Sequence, residues 1–319
     1  MGISPFDRYA IYPARLGSLL FQQIDEAHLR PQSNKSEVVV GGALDRSAVI
    51  TAFGEPVWTV KTADLGAVLA GISLTGGYPW DTSAPLSTSA SLLQFEKRAD
   101  GGAFIAAGSS VHHLASMIRG WACIEEISAT QDSIEGASAQ LTGVALSEDG
   151  ETAPINWLAL QALTSTPAYG ALYYLSKVMV GTGSPVELAG VQSVRIRPGI
   201  KFLVKRASGM TWAIAGAIVA RKPEITLQLS DPGPWYTLFG PSTLGLDLAS
   251  LKVNCYFQKG LHGGNRVARA TTAHVSIYAA TGDETPDNMG VTGVENDLGL
   301  ELTIRPTGVI AMATGVAIP

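Results

Sequence analysis

Cysteine is almost missing from this chain: Cys123 and Cys255 are the only two in 319 residues, with no Cys-x-x-Cys pair and no histidine at metal-ligand spacing. A disulfide framework and a structural zinc site are therefore not expected, and both thiols should behave as small core hydrophobes. Charge is also scarce, at 15% of residues, and aromatics make up 7%. The longest apolar stretches, such as Met210 to Val219, fall far short of the roughly 20 residues a bilayer span needs, so no membrane helix is expected. Met1 to Arg30 alternates charged with apolar residues and lacks the basic start, apolar centre and cleavage site of a secretory signal, which points to a soluble protein made in the cytoplasm.

Ala, Gly, Ser, Thr and Val dominate instead, and such small and β-branched residues suit strands packed closely against neighbours. The length allows two medium domains, each with a core of its own. The net charge of −5 is unevenly divided: residues 1–186 hold 10 Lys/Arg and 17 Asp/Glu, whereas 187–319 hold 12 and 10. Oppositely biased halves would assist head-to-tail encounter between copies, set against two ordinary solvated surfaces.

Short strings recur in the same order along the chain. Gly42-Ala43-Leu44 leads into Val49-Ile50-Thr51 as Gly216-Ala217-Ile218 leads into Glu224-Ile225-Thr226, and Ala90-Ser91-Leu92 precedes Gly101-Gly102 as Ala249-Ser250-Leu251 precedes Gly263-Gly264. His112 and His274 each follow the second Gly by ten residues. A β-domain plan used twice points to assembly, not catalysis.

Periodicity fills in the plan. Strands are expected at Glu37 to Val40, Ala48 to Phe53, Val57 to Lys61, Leu92 to Lys97, Ala103 to Ser109, Trp121 to Ser128 and Ala137 to Leu146, with a helix starting at Thr62 or Asp64. Pro154 to Leu163 has helical spacing, Tyr169 to Val180 fits helix or strand, and Gly181-Thr182-Gly183-Ser184-Pro185 punctuates a linker. Further strands follow at Ile200 to Arg206, Thr211 to Ala220, Glu224 to Leu229, Leu251 to Gln258, Arg266 to Ala279, Leu298 to Arg305 and Val309 to Val316, with a second short helix within Trp235 to Leu248. Gly209 can supply the positive φ for the Ala207-Ser208-Gly209-Met210 turn. The division is an arm at 1–35, a first β-domain at 36–180, a linker at 181–190 and a second at 191–319.

Chemical constellations are thin. Arg195, Arg197, Lys201 and Lys205 share one parity, which aligns them on a strand face; Pro198-Gly199 breaks the run, so an interface with the acidic half is a better account than phosphate binding. His112 and His274 lack a nucleophile elbow and read as polar strand or turn residues. The adjacent Glu125 and Glu126 should point to opposite faces of a strand. Asp283 to Asn288 reads as a solvated acidic loop without cation-loop spacing, Trp58 and Trp212 as core anchors or interface plugs, and no cofactor motif is present.

The order of strands, one helix, a long Gly/Pro/Ser loop and further strands, then the same again, resembles the major tail (tail tube) protein of long-tailed bacteriophages in its duplicated form. The resemblance implies a mainly β chain with minor α, two β-sandwich or barrel-like domains each with a flanking helix, and no enzymatic activity. It also implies that copies, as trimers with pseudo-six-fold symmetry, stack into a virion tube that binds other tail proteins and passes DNA without specific binding. By the same resemblance Gly76 to Ser89, including Tyr78, Trp80 and Asp81, forms a ring-stacking loop, and Met1 to Lys35 lies on a neighbour. An acidic lumen would keep DNA moving. The alternatives are another virion component, such as a baseplate hub, terminator or decoration protein, a carbohydrate-binding β-sandwich using exposed Trp80 or Trp235, and a hydrolase with scattered triad residues.

Overall fold

The computed structural model describes residues 8–30, 33–38, 48–98, 103–131, 133–164, 170–181, 184–240, 251–261, 265–279, 282–292 and 297–319. The chain is mainly β with minor α, 58% strand and 6% helix. Its first part runs β1 (Arg8–Leu16), β2 (Leu19–Phe21), β3 (Ile24–Arg30), β4 (Ser33–Val38), β5 (Ala48–Gly54), β6 (Val57–Thr62), α1 (Leu65–Gly71), β7 (Tyr78–Asp81), β8 (Ser91–Arg98), β9 (His112–Met117), β10 (Arg119–Thr130), β11 (Ser138–Ala145) and β12 (Asn156–Gln161). The second runs β13 (Tyr173–Gly181), β14 (Val186–Glu187), β15 (Val191–Arg197), β16 (Ile200–Lys205), β17 (Ala215–Arg221), β18 (Glu224–Leu229), α2 (Gly233–Phe239), β19 (Lys252–Lys259), β20 (His274–Ala279), β21 (Gly282–Thr292), β22 (Asp297–Pro306) and β23 (Ile310–Val316).

Pairing order shows one topology used twice. The first part forms a five-stranded sheet ordered β12-β9-β8-β1-β2, and the second forms β23-β20-β19-β13-β14 in the same sequence of roles. A nine-stranded sheet spans both parts in the order β21-β22-β18-β15-β10-β11-β6-β3, with β7 added alongside β10. Cut between β15 and β10, it yields the matching ladders β21-β22-β18-β15 and β10-β11-β6-β3. Even the irregularities repeat: a register shift between Ile24 and Glu26 on β3 recurs between Val191 and Ser193 on β15, and one between Ile124 and Glu126 on β10 recurs between Pro286 and Asn288 on β21. Bulges at equivalent places mark a shared backbone plan.

Alternation decides which side of the large sheet is dry. Val194 and Ile196 of β15, Ile225, Leu227 and Leu229 of β18, and Ala139 and Leu141 of β11 face one apolar cluster, while Ser193, Arg195, Thr226, Gln228 and Gln140 face water or the sheet's polar side. Helix α1 adds Leu65, Val68 and Leu69 at i, i+3 and i+4, and α2 adds Trp235. That cluster runs without a break from Ala14 to Ile310, so the two parts share one core. A Leu, Ile or Phe fully buried there stabilises by about 1.5–3 kcal/mol.

Several expectations are corrected. The segment expected as an arm holds β1, β2 and β3, because its mixed pattern is that of strands with one apolar side and distant partners: Ile11 opposes Phe95. Gly181 ends β13 and Val186 starts β14, so the Gly/Pro punctuation marks a hairpin within the second part, and the topological boundary falls between Gln161 and Tyr173. Trp157, Leu158 and Leu160 lie in edge strand β12, whose helical spacing comes from a bulge at which Leu160 takes a φ of 55°. Residues 103–109 and 266–273 are loops apart from isolated bridges at Phe104 and Arg266. Asp283 to Asn288 is strand, within β21. Gly209 does take positive φ, 82°, in the turn between β16 and β17. Gly42 to Leu44 and the Gly-Gly pairs lie outside the described residues, and Gly216 to Ile218 belongs to β17, the topological partner of β5.

Candidate assembly interface

The histidine coincidence has a physical basis. After β8 the chain leaves as a loop and returns through His112, whose Nδ1 accepts the Lys97 N–H at 3.0 Å while Nε2–H donates to the Ala106 carbonyl at 3.0 Å. After β19, His274 Nδ1 accepts the Lys259 N–H at 3.0 Å and Nε2–H donates to the Ala268 carbonyl at 2.9 Å. Supporting turns match as well: Ser109 N–H to the Ala106 carbonyl and Thr271 N–H to the Ala268 carbonyl. Both imidazoles are fully buried with both nitrogens engaged by backbone, so each serves as a loop clamp.

The two parts meet edge to edge at β10 and β15. Ile127 opposes Ile196, Ser128 opposes Arg195, Ala129 opposes Val194 and Thr130 opposes Ser193, and Gln131 N–H continues the ladder to the Gln192 carbonyl at 2.8 Å. On the wet side Glu126 of β10 accepts Arg197 at 2.8 Å and Arg195 at 3.3 Å, and Arg197 also reaches Glu224 at 3.7 Å. On the dry side Ala137 N–H donates to the Tyr173 carbonyl at 2.6 Å, and a Cβ on Gly66 of α1 would stand 3.0 Å from the Tyr173 ring. The hairpin β16–β17 lies over the start of β10, where Phe202 stacks on Trp121 at 4.1 Å.

The expected site residues divide accordingly. Arg195 and Arg197 project from β15 into this junction, whereas Lys201 and Lys205 follow the Pro198-Gly199 break onto β16, where both side chains are exposed. Gly76 accepts the Trp121 indole N–H at 2.9 Å through its carbonyl, and Tyr78, Trp80 and Asp81 form β7 against Arg119 to Ala122. Trp80 is buried, its indole donating to the Met117 carbonyl at 3.0 Å, and Asp81 pairs with Arg119 at 2.8 Å. The first part of the expected stacking loop is therefore a sheet strand of this chain, drawn in by the tryptophan. Trp235 is also fully buried, so neither tryptophan offers the exposed face that glycan stacking requires. Trp58 is a core anchor, whereas Trp212 is half-buried outside any strand and forms an isolated bridge with Gly54.

Glu125 and Glu126 do not point apart, because the bulge turns both to the wet side: Glu125 accepts Gln140 at 3.0 Å and Glu126 accepts the arginines. That side carries Asp25, Glu125, Glu126, Glu224 and Glu301 together with Lys61, Arg195 and Arg197, so charges of both signs lie on it. Burial pushes the Cys123 and Cys255 thiols up to about 12, consistent with inert core residues. No metal-binding cluster of His, Cys, Asp and Glu occurs among the described residues, and no helix described is long and apolar enough to cross a membrane.

Sequence reasoning missed the junction's outer counterpart. Tyr173, Leu175, Phe257 and Val275 of the second part are 9%, 3%, 0% and 2% exposed within the core that both parts share, and Tyr173 lies against Gly66 of α1. The same lattice positions in the first part are Tyr9, Ile11, Phe95 and His113; Tyr9 and Ile11 are 37% and 38% exposed, and Phe95 and His113 are half-buried. His113 stacks with Trp157 at 5.6 Å and touches Tyr9 at 4.9 Å, and Trp157 is 56% exposed. No protein-family model matches this chain, and a search of curated proteins finds no match.

Proposed function

We propose that the chain is a structural subunit that assembles with copies of itself into stacked rings, forming a bacteriophage tail tube through which DNA passes. The observation that carries this is the edge-to-edge repeat: two copies of one β plan are joined within one sheet through β10 and β15, and strands of the same two kinds, β3 and β21, end that nine-stranded sheet. A long bare edge is an aggregation hazard in a monomer and a joint in a ring, since closure leaves no edge. Two repeats per chain make a trimer the ring of six repeats. The wet side suits a passage for DNA because Arg195 and Arg197 are already paired with Glu126, leaving less cationic charge to hold phosphate.

Negative-stain microscopy of concentrated purified protein tests this. Rings stacking into tubes of constant bore are expected. Particles that remain dispersed monomers, even with tail initiator present, would overturn the proposal, and single rings that never stack would move it to a terminator or hub.

A further inference from the structure

We infer that the partner for the uncovered side of the first repeat is the second repeat of another copy of this chain, joined in the register of the internal β10–β15 junction. This rests on the assembly reading above and adds which surfaces meet. Two independent features lie on the same side of the first repeat: the outer edge of β3, which no described strand pairs, and the half-exposed Tyr9, Ile11 and Phe95 patch on the dry side. Their counterparts on the second repeat are covered: β15 by β10 and Tyr173 by α1, with Leu175 and Phe257 buried in the shared core. Ala27 and Leu29 are half-buried where their equivalents Val194 and Ile196 are buried, and the missing cover is a neighbouring strand.

The shared bulges fix the register. Because β3 matches β15 and β21 matches β10 residue for residue around their shifts, the pairs Ile127 with Ile196, Ser128 with Arg195, Ala129 with Val194 and Thr130 with Ser193 translate directly. Between copies they become Met289 opposite Leu29, Gly290 opposite His28, Val291 opposite Ala27 and Thr292 opposite Glu26. Helix α2, entered through Pro232 as α1 is entered through Asp64, then covers Tyr9 of the neighbour as α1 covers Tyr173. The contact is head-to-tail, so it generates a ring or a helix rather than a two-fold dimer.

Oxidative cross-linking tests the joint. His28 and Gly290 would sit directly opposite on the wet side, with Cα atoms about 4.5–5.5 Å apart, within disulfide range. In the double variant His28→Cys with Gly290→Cys, mild oxidation should give a reducible ladder ending at one closed oligomer, and a mixture of the two single variants should stop at dimers. Cys123 and Cys255 are buried and give no background. Assembled protein that forms rings without this cross-link would overturn the joint and leave the tube reading intact; a cross-linked ring that never stacks would do the reverse. As a second arm, Ile11→Glu should abolish oligomers while leaving the melting temperature of dilute protein within about 2 °C; oligomers that persist unchanged would also overturn the joint.

Discussion

Phe257 and Phe95 hold the same place in the two repeats, one fully buried in the shared core, the other half in water. Neither residue type nor strand position accounts for the difference, since Tyr173 and Tyr9 repeat the contrast with the same side chain. What differs is the neighbour. The second repeat has the first against it, and the first repeat presents an equivalent surface with nothing described upon it. Burial in this chain follows which repeat has the other against it, and the chain holds one complete junction between its repeats.

Truncation at the equivalent phenylalanines breaks the comparison most sharply. Phe257→Ala should cost about 3–5 kcal/mol in urea denaturation, as for a large residue removed from a packed core. In dilute protein Phe95→Ala should cost less than half as much, and the gap should close at concentrations where the protein assembles. The histidine clamps come next, with the opposite expectation: His112→Ala and His274→Ala each orphan a buried N–H and a carbonyl, so each should cost about 2–3 kcal/mol. Amide exchange at Lys97 and Lys259 should accelerate equally, and a clear inequality would break the equivalence of the two loops.

The wet side of the internal junction matters less. Glu126→Gln loses the charge that bridges Arg195 and Arg197, yet the arginines are largely solvated, so the expected loss is below about 1 kcal/mol and should vanish in high salt. A pH experiment separates the repeats, because Asp64 precedes α1 where Pro232 precedes α2. Burial raises the Asp64 carboxyl above its ordinary range, partly opposed by the hydrogen bond it accepts from the Gln22 N–H. Between the unfolded and folded pKa values the folded state holds more protons, so this group's contribution is full at acid pH and is lost as pH rises through the folded pKa. Asp64→Asn should flatten that slope, and pH titration of thermal stability checks it.

Local pattern revealed the strand-rich class, both short helices, the Gly209 turn and the shared parity of Arg195 and Arg197. It also aligned His112 with His274, since each clamp is built from residues within one loop. The misreadings lay where distant partners decide. β1 reads as a charged arm until β8 supplies the opposing strand, and β7 reads as a Gly/Pro loop until Trp80 finds its pocket under β10. Gly and Pro at 181–185 punctuate a hairpin as readily as a linker, and a bulge imitates helical spacing in β12 and turns Glu125 and Glu126 to one side. The half-exposed patch was invisible because alternation tells which side is apolar, not whether a neighbour covers it.

Amide hydrogen exchange across the two edge strands, in dilute and assembled protein, tests the central claim most directly. Outward-facing amides of β3, and those of residues 289–292, should exchange freely when dilute and become as protected on assembly as their equivalents in β15 and β10. Assembled protein in which both edges still exchange freely would contradict it.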